Sequence, residues 1–162
     1  MARTLAIVFT ITTYGTWLRG DRRGWVNQGR VLPPNPRPEA ADHRRMKHPV
    51  FLFHQDQWLK VGSFIGESLR QRLNLRILAM TVQSWHVHWV CAATEYRVPA
   101  VVKCAKDAVR WGLRPGRPIW SRGHDKRFCF DDASLLRRIS YVERHNTRHG
   151  WPPRPWDFIE PI

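Results

Sequence analysis

Ile77-Leu78-Ala79-Met80-Thr81-Val82-Gln83-Ser84-Trp85-His86-Val87-His88-Trp89-Val90 is the stretch on which the fold turns. Ile77 to Gln83 reads as a buried strand, Gln83-Ser84-Trp85 as a tight turn, and His86 to Ala93 as the returning strand. Side chains alternate faces along a strand, so His86 and His88 point one way and Val87 the other. Two convergent imidazoles flanked by Trp85 and Trp89 make half of a divalent-metal site. A His-x-His pair alone is more often structural than ligating, so the weight falls on the rest of the chain.

Working outward, Leu5 to Thr13 is apolar and rich in Ile, Val and Thr, which predicts a strand. Gln57 to Leu75 places Leu59, Val61, Phe64, Ile65, Leu69 and Leu73 at helical spacing. Pro99 to Trp111 repeats that periodicity through Val101, Val102, Ala105, Ala108 and Val109, and Arg114-Pro115-Gly116-Arg117-Pro118 ends it. Ile119 to Phe130 reads as a strand or hairpin arm with a basic bulge from Arg122 to Arg127. Asp131-Asp132 opens a helix running to about His145, one aspartate serving as its cap. The order β-α-β-β-α-β-α predicts an α+β fold: a ferredoxin-like split βαβ antiparallel sheet with an added C-terminal helix. One face of such a sheet takes the helices, and the other is open to be covered or to bind.

With 162 residues, 43% of them hydrophobic, the chain suits one domain over residues 1–162. Residues 15 to about 50 read as a basic, proline-rich loop, because Val31 to Pro38 holds four prolines and excludes regular structure there. Residues 150–162 read as an extended tail.

Lys and Arg total 27 against 13 Asp and Glu, a net charge of +14. That excess predicts a polyanionic partner. Arginine greatly outnumbers lysine, and its planar fork pairs with phosphate and stacks on bases, which favours nucleic acid over a membrane surface. Cys91, Cys104 and Cys129 are odd in number and form no C-x-x-C, which fits buried thiols in a reducing compartment. The N-terminal apolar stretch is too short and β-branched for a signal peptide, and no long apolar span follows. A soluble cytoplasmic protein without a membrane partner is expected.

The last predicted helix supplies the other half of the site. Leu135, Ile139 and Val142 form its apolar stripe, and Tyr141 lies about 120° round the axis from Leu135. His145, four residues on, shares a flank with Tyr141. Three nitrogen ligands and one phenol nucleophile make a coherent set. Tyr14 and Tyr96 are rival nucleophiles, but neither has a ligand-type residue at helical spacing.

A His-hydrophobic-His strand followed by a late helix bearing Tyr-x-x-x-ligand resembles the HUH single-strand endonucleases. More narrowly, it resembles the single-tyrosine transposases and, within them, the REP-associated tyrosine transposases. Thr13 through Val26 is similar to the N-terminal motif of one branch of these proteins. Ser84-Trp85-His86-Val87-His88 is similar to their metal motif, and Ile119-Trp120 through Asp125, then Ile139-Ser140-Tyr141-Val142, to the segment leading into the nucleophile helix. Relatives commonly carry Asn and then Pro four and five residues after the tyrosine. Here those positions are His145 and Asn146, so Asn146 is an alternative third ligand.

The resemblance implies cleavage and strand transfer in single-stranded or hairpin DNA through a 5′-phosphotyrosyl intermediate at Tyr141. Mg²⁺ or Mn²⁺ would be held by His86, His88 and His145, although imidazoles alone suit Zn²⁺ better. It also implies a bacterial, nucleoid-associated protein, with a monomer favoured over a homodimer. Arg19, Arg22, Arg23, Trp25, Arg122, Arg137 and Arg138 are the expected DNA contacts, with Arg44, Arg45, Trp17 and Trp120 as further candidates. Two other readings stand beside this one: a non-catalytic single-stranded nucleic-acid-binding protein with a decayed site, and an imidazole-zinc hydrolase.

Overall fold

The computed structural model of the protein describes residues 2–162. Its main sheet contains β1 (Ala6–Thr12), β4 (Ile77–Val82), β5 (His86–Ala92) and β6 (Asp125–Cys129), in the order β4-β5-β1-β6 with every neighbouring pair antiparallel. This is the strand order of the ferredoxin-like arrangement. β1 sits inside the sheet because almost every residue from Ala6 to Ile11 is apolar and buried, as a strand covered on both faces requires.

Alternation, interrupted by a register shift between Ile77 and Ala79 of β4, sorts the side chains into two cores. Ile7, Phe9, Ile11, Val87 and Trp89 point towards α2 (Trp58–Leu73) and α3 (Val98–Leu113). Phe9 and Trp89 stack there at 5.0 Å. Ala6, Val8, Leu78, Ala79, Val90 and Cys129 face the other way, against Leu135, Ile139 and Val142 of α4 (Asp132–Thr147). The second sheet face is therefore taken up by the added helix, whose apolar stripe is the predicted one. Asp131 caps α4, accepting from the Ser134 amide at 2.7 Å.

Residues 15–50 are more ordered than their composition predicts. A small hairpin pairs β2 (Trp25–Asn27) with β3 (Arg30–Leu32), and α1 (Pro36–Arg45) follows. The four prolines did not exclude structure because of where they stand. Pro36 and Pro38 occupy the first turn of α1, where amide hydrogens have no intrahelical partner, and Asn35 caps that turn. β6 is shorter than predicted: only Asp125–Cys129 pairs along β1, and Trp120 makes an isolated bridge to Thr13. The intervening turn is held by Lys106, whose ammonium donates to the carbonyls of Ser121 and Gly123.

The tail after Gly150 has no regular structure, but it is packed. Trp156 and Ile159 enter the main core, and the Glu160 amide donates to Ile77 O at 2.8 Å on the outer edge of β4. α2 receives this tail on glycines: a Cβ on Gly62 would lie 2.2 Å from the Trp156 ring.

Candidate metal and nucleophile site

Antiparallel register puts Thr10 opposite His88 and Thr12 opposite His86, so both histidines emerge on the α4 side of the sheet. α4 brings His145 to meet them. The ring centroids are 4.5 Å apart for His86 and His88, 5.8 Å for His86 and His145, and 5.5 Å for His88 and His145. One nitrogen from each ring lies within 4.8 Å of the others.

The hydrogen bonds leave these rings ready to bind a cation. His88 Nδ1 is bonded to the Thr10 hydroxyl at 2.7 Å, which fixes the ring and leaves Nε2 free. His86 Nδ1 and His145 Nε2 are buried with no hydrogen-bond partner. Buried polar atoms without partners are costly, and two in one three-imidazole cluster fit a role as metal ligands. The electrostatics agree, because a ligating imidazole must be neutral. Burial, reinforced by His88, His145 and Arg23, pushes His86 down to about 2. Burial and His145 push His88 down to about 4. His145 is lowered by burial and by Arg148, His149 and Arg144. With no carboxylate among them, the donors suit borderline divalent ions better than Mg²⁺.

Tyr141 lies one helical turn before His145, their rings 4.9 Å apart and nearly perpendicular, with the His88 ring at 5.9 Å. It is 44% exposed, so a ligand can reach it from solvent. Asn146 points elsewhere. It is 1% exposed, and its amide donates to the carbonyls of Met80 (2.9 Å) and Pro153 (3.0 Å). It fastens the end of α4 to β4 and to the tail, while His145 completes the cluster.

The basic residues fall into distinct settings. Arg137 and Arg138 line a shallow basin beside Tyr141. Arg22 is exposed, and Arg122 projects from the turn clamped by Lys106. Arg19 forms a bidentate pair with Asp42 of α1, and Trp25 stays within its hairpin, donating to Pro33 O. Arg23 is held by Asp21 and by the Thr16 carbonyl, its guanidinium 4.0 Å from the Trp17 ring and 4.7 Å from Trp85. Trp85 packs in turn on His86 at 4.0 Å. Arg23 therefore acts as a pillar beside His86. Sequence reasoning missed Thr10 and Arg144 and gave Trp85 only as a flank of the histidine pair; pairing β1 against β5 by register would have found Thr10.

No protein-family model matches the sequence, and no curated protein matches it. Among solved structures, a REP-associated tyrosine transposase bound to a REP hairpin aligns over 98% of this chain and 78% of its own, with a TM-score of 0.53 and 13% identity. The fold is that of a REP-associated tyrosine transposase. A transposase candidate from Deinococcus radiodurans R1 aligns over 89% of this chain and 92% of its own, at 15% identity and a TM-score of 0.47. Within this fold, two strand histidines separated by one hydrophobic residue meet a third histidine from the last helix, a group that could hold a metal ion. Among the described residues, no helix is long and apolar enough to cross a membrane.

Proposed function

We propose that this protein cleaves and rejoins single-stranded or hairpin DNA through a covalent link at Tyr141. The observation that carries this reading is an accessible phenol set against a cluster of three neutral imidazoles, two with unpartnered buried nitrogens. The fold shared with a transposase bound to a REP hairpin supports the choice of substrate.

In the proposed reaction the Tyr141 phenol oxygen attacks the scissile phosphorus and gives up its proton. The bond from phosphorus to the 3′ oxygen breaks, and that oxygen takes up a proton. The products are a 5′-phosphotyrosyl linkage and a free 3′-OH. A phosphodiester is exchanged for a phosphodiester, so a later 3′-OH can reverse the exchange and join strands without an external energy source. His86, His88 and His145 would hold a divalent cation, which supplies Lewis-acid stabilisation of charge on the phosphate oxygens. Mn²⁺ suits these nitrogens better than Mg²⁺. Arg22, Arg122, Arg137 and Arg138 would hold the DNA backbone through charge-assisted contacts. Cluster and nucleophile come from one chain, which favours a monomer acting in cis.

The test is a covalent adduct. Incubated with Mn²⁺ and single-stranded hairpin DNA, the wild type gains the mass of the cleaved strand, and Tyr141→Phe gives neither adduct nor cleavage. Tight binding without an adduct in the wild type would make the protein a binder with a decayed site. Metal-dependent cleavage that survives Tyr141→Phe would make it a hydrolase.

A further inference from the structure

Beside Tyr141 lies a basin of about 310 Å³ lined by Ser134, Arg137, Arg138, Tyr141 and Arg144. The five residues come from one flank of α4, each three or four positions from another of the set, so they stack along the helix. Arg137 and Arg138 lie one turn before the tyrosine, whereas His145 lies one turn after it.

The arginines are free for a ligand. Ion pairs engage Arg19, Arg23, Arg76, Arg110, Arg127 and Arg154. Among the described residues, no carboxylate pairs with Arg137, Arg138 or Arg144. Of the acids along this segment, Asp131 caps the Ser134 amide, Glu143 accepts from Arg154, and Asp132 in the first turn forms no ion pair with these arginines. Three uncompensated guanidiniums around a hydroxyl and a phenol therefore form a site whose missing component is an anion of phosphate type.

The position on the helix specifies which phosphate. Cleavage separates two strands, and only the 5′-linked one stays attached to Tyr141. Ser134, Arg137 and Arg138 lie on the opposite side of that residue along α4 from His145, and Arg144 closes the basin on the His145 side. A rise of four residues is about 6 Å, close to the spacing of successive phosphates on a single strand. We propose that this basin is a seat for the first phosphate downstream of the phosphotyrosyl linkage. It holds the attached strand in place while an incoming 3′-OH approaches from the other side. The seat rests on the reading of Tyr141 as the nucleophile, and it adds Ser134 and Arg144 to the residues that hold DNA.

The probes are 5′-phosphorylated thymidine mono-, di- and trinucleotides, titrated calorimetrically into the protein with Mn²⁺ at fixed salt. The dinucleotide should bind roughly tenfold more tightly than the mononucleotide, the size of one charge-assisted contact, and the trinucleotide should add little. Arg137→Gln with Arg138→Gln should abolish that step. Arg70→Gln with Arg72→Gln, which removes the same charge from α2, should keep it. Neither pair removes a buried core side chain, so both proteins fold. A wild type without the step, or equal loss in both double variants, overturns the seat. The adduct assay is read separately: an adduct without the step keeps the tyrosine chemistry and refutes the seat. A step without an adduct refutes the tyrosine chemistry and upholds the basin as a phosphate site.

Discussion

Replacing Asn146 by alanine tests whether the end of α4 is fastened as its hydrogen bonds imply. The side chain is 1% exposed and donates at 2.9 and 3.0 Å to the carbonyls of Met80 and Pro153. Alanine removes both donors and leaves the carbonyl of buried Met80 without one, while that of exposed Pro153 can turn to water. Each lost bond costs about 1–1.5 kcal/mol, and desolvation of the orphaned Met80 acceptor raises the total to about 2–4 kcal/mol. Removing Asn146 Oδ1, which has no partner, relieves a small part of this. Urea denaturation in EDTA measures the stability change. Because His145 is the preceding residue, Mn²⁺ affinity, followed by electron paramagnetic resonance on folded protein, should fall as well. A loss below 1 kcal/mol, or unchanged Mn²⁺ affinity, would refute the argument that this fastener positions the third ligand.

Acidification should destabilise the metal-free protein between pH 6.5 and 5. His86 and His88 stay neutral in the fold down to about 2 and about 4, whereas the unfolded chain takes up protons near 6.5. The unfolded state therefore binds more protons in this window, and stability falls by about 2 kcal/mol per histidine at pH 5. Asp21 and Asp42, lowered below the ordinary carboxylate range by Arg23 and Arg19, act only at lower pH, so urea midpoints at pH 7 and 5 isolate the histidines. Thr10→Val keeps the shape but removes the hydroxyl bonded to His88 Nδ1, and Mn²⁺ affinity should drop about 10–100-fold; an unchanged affinity would make that bond incidental. Gly62→Ala drives a methyl into the Trp156 ring and its bond to Leu59 O. It should cost about 1–3 kcal/mol and expose the tail to limited proteolysis, and a variant as resistant as wild type contradicts the packing.

Much of this architecture is legible in the sequence because the signals are periodic. The strand Ile77–Val82, the histidines two apart and the stripe Leu135-Ile139-Val142 follow from periods of 2 and 3.6. Asp131 as a cap follows from its side chain and its place before an apolar run. The hairpin and helix between residues 25 and 45 were hidden because proline was counted as a breaker without regard to its position in the first turn. The partners of Arg19 and Arg23 were hidden for another reason: a formal charge says nothing about where its counterion folds. Asn146 shows a third limit. Adjacent to His145, it reads as a possible ligand, and only the 100° turn between successive helical residues sends it to Met80.

Tyr141 and His145, the proposed nucleophile and third ligand, share one turn of one helix, and that helix ends near Asn146, tied to a core strand and to the tail. Tension on a strand covalently held at Tyr141 would run along α4 into β4, the Asn146 amide acting as the bolt. A pull strong enough to shift the helix would draw His145 away from His86 and His88 together with the phenol. Mechanical overload would thus disarm the centre as a unit, leaving no exposed nucleophile beside an intact cation.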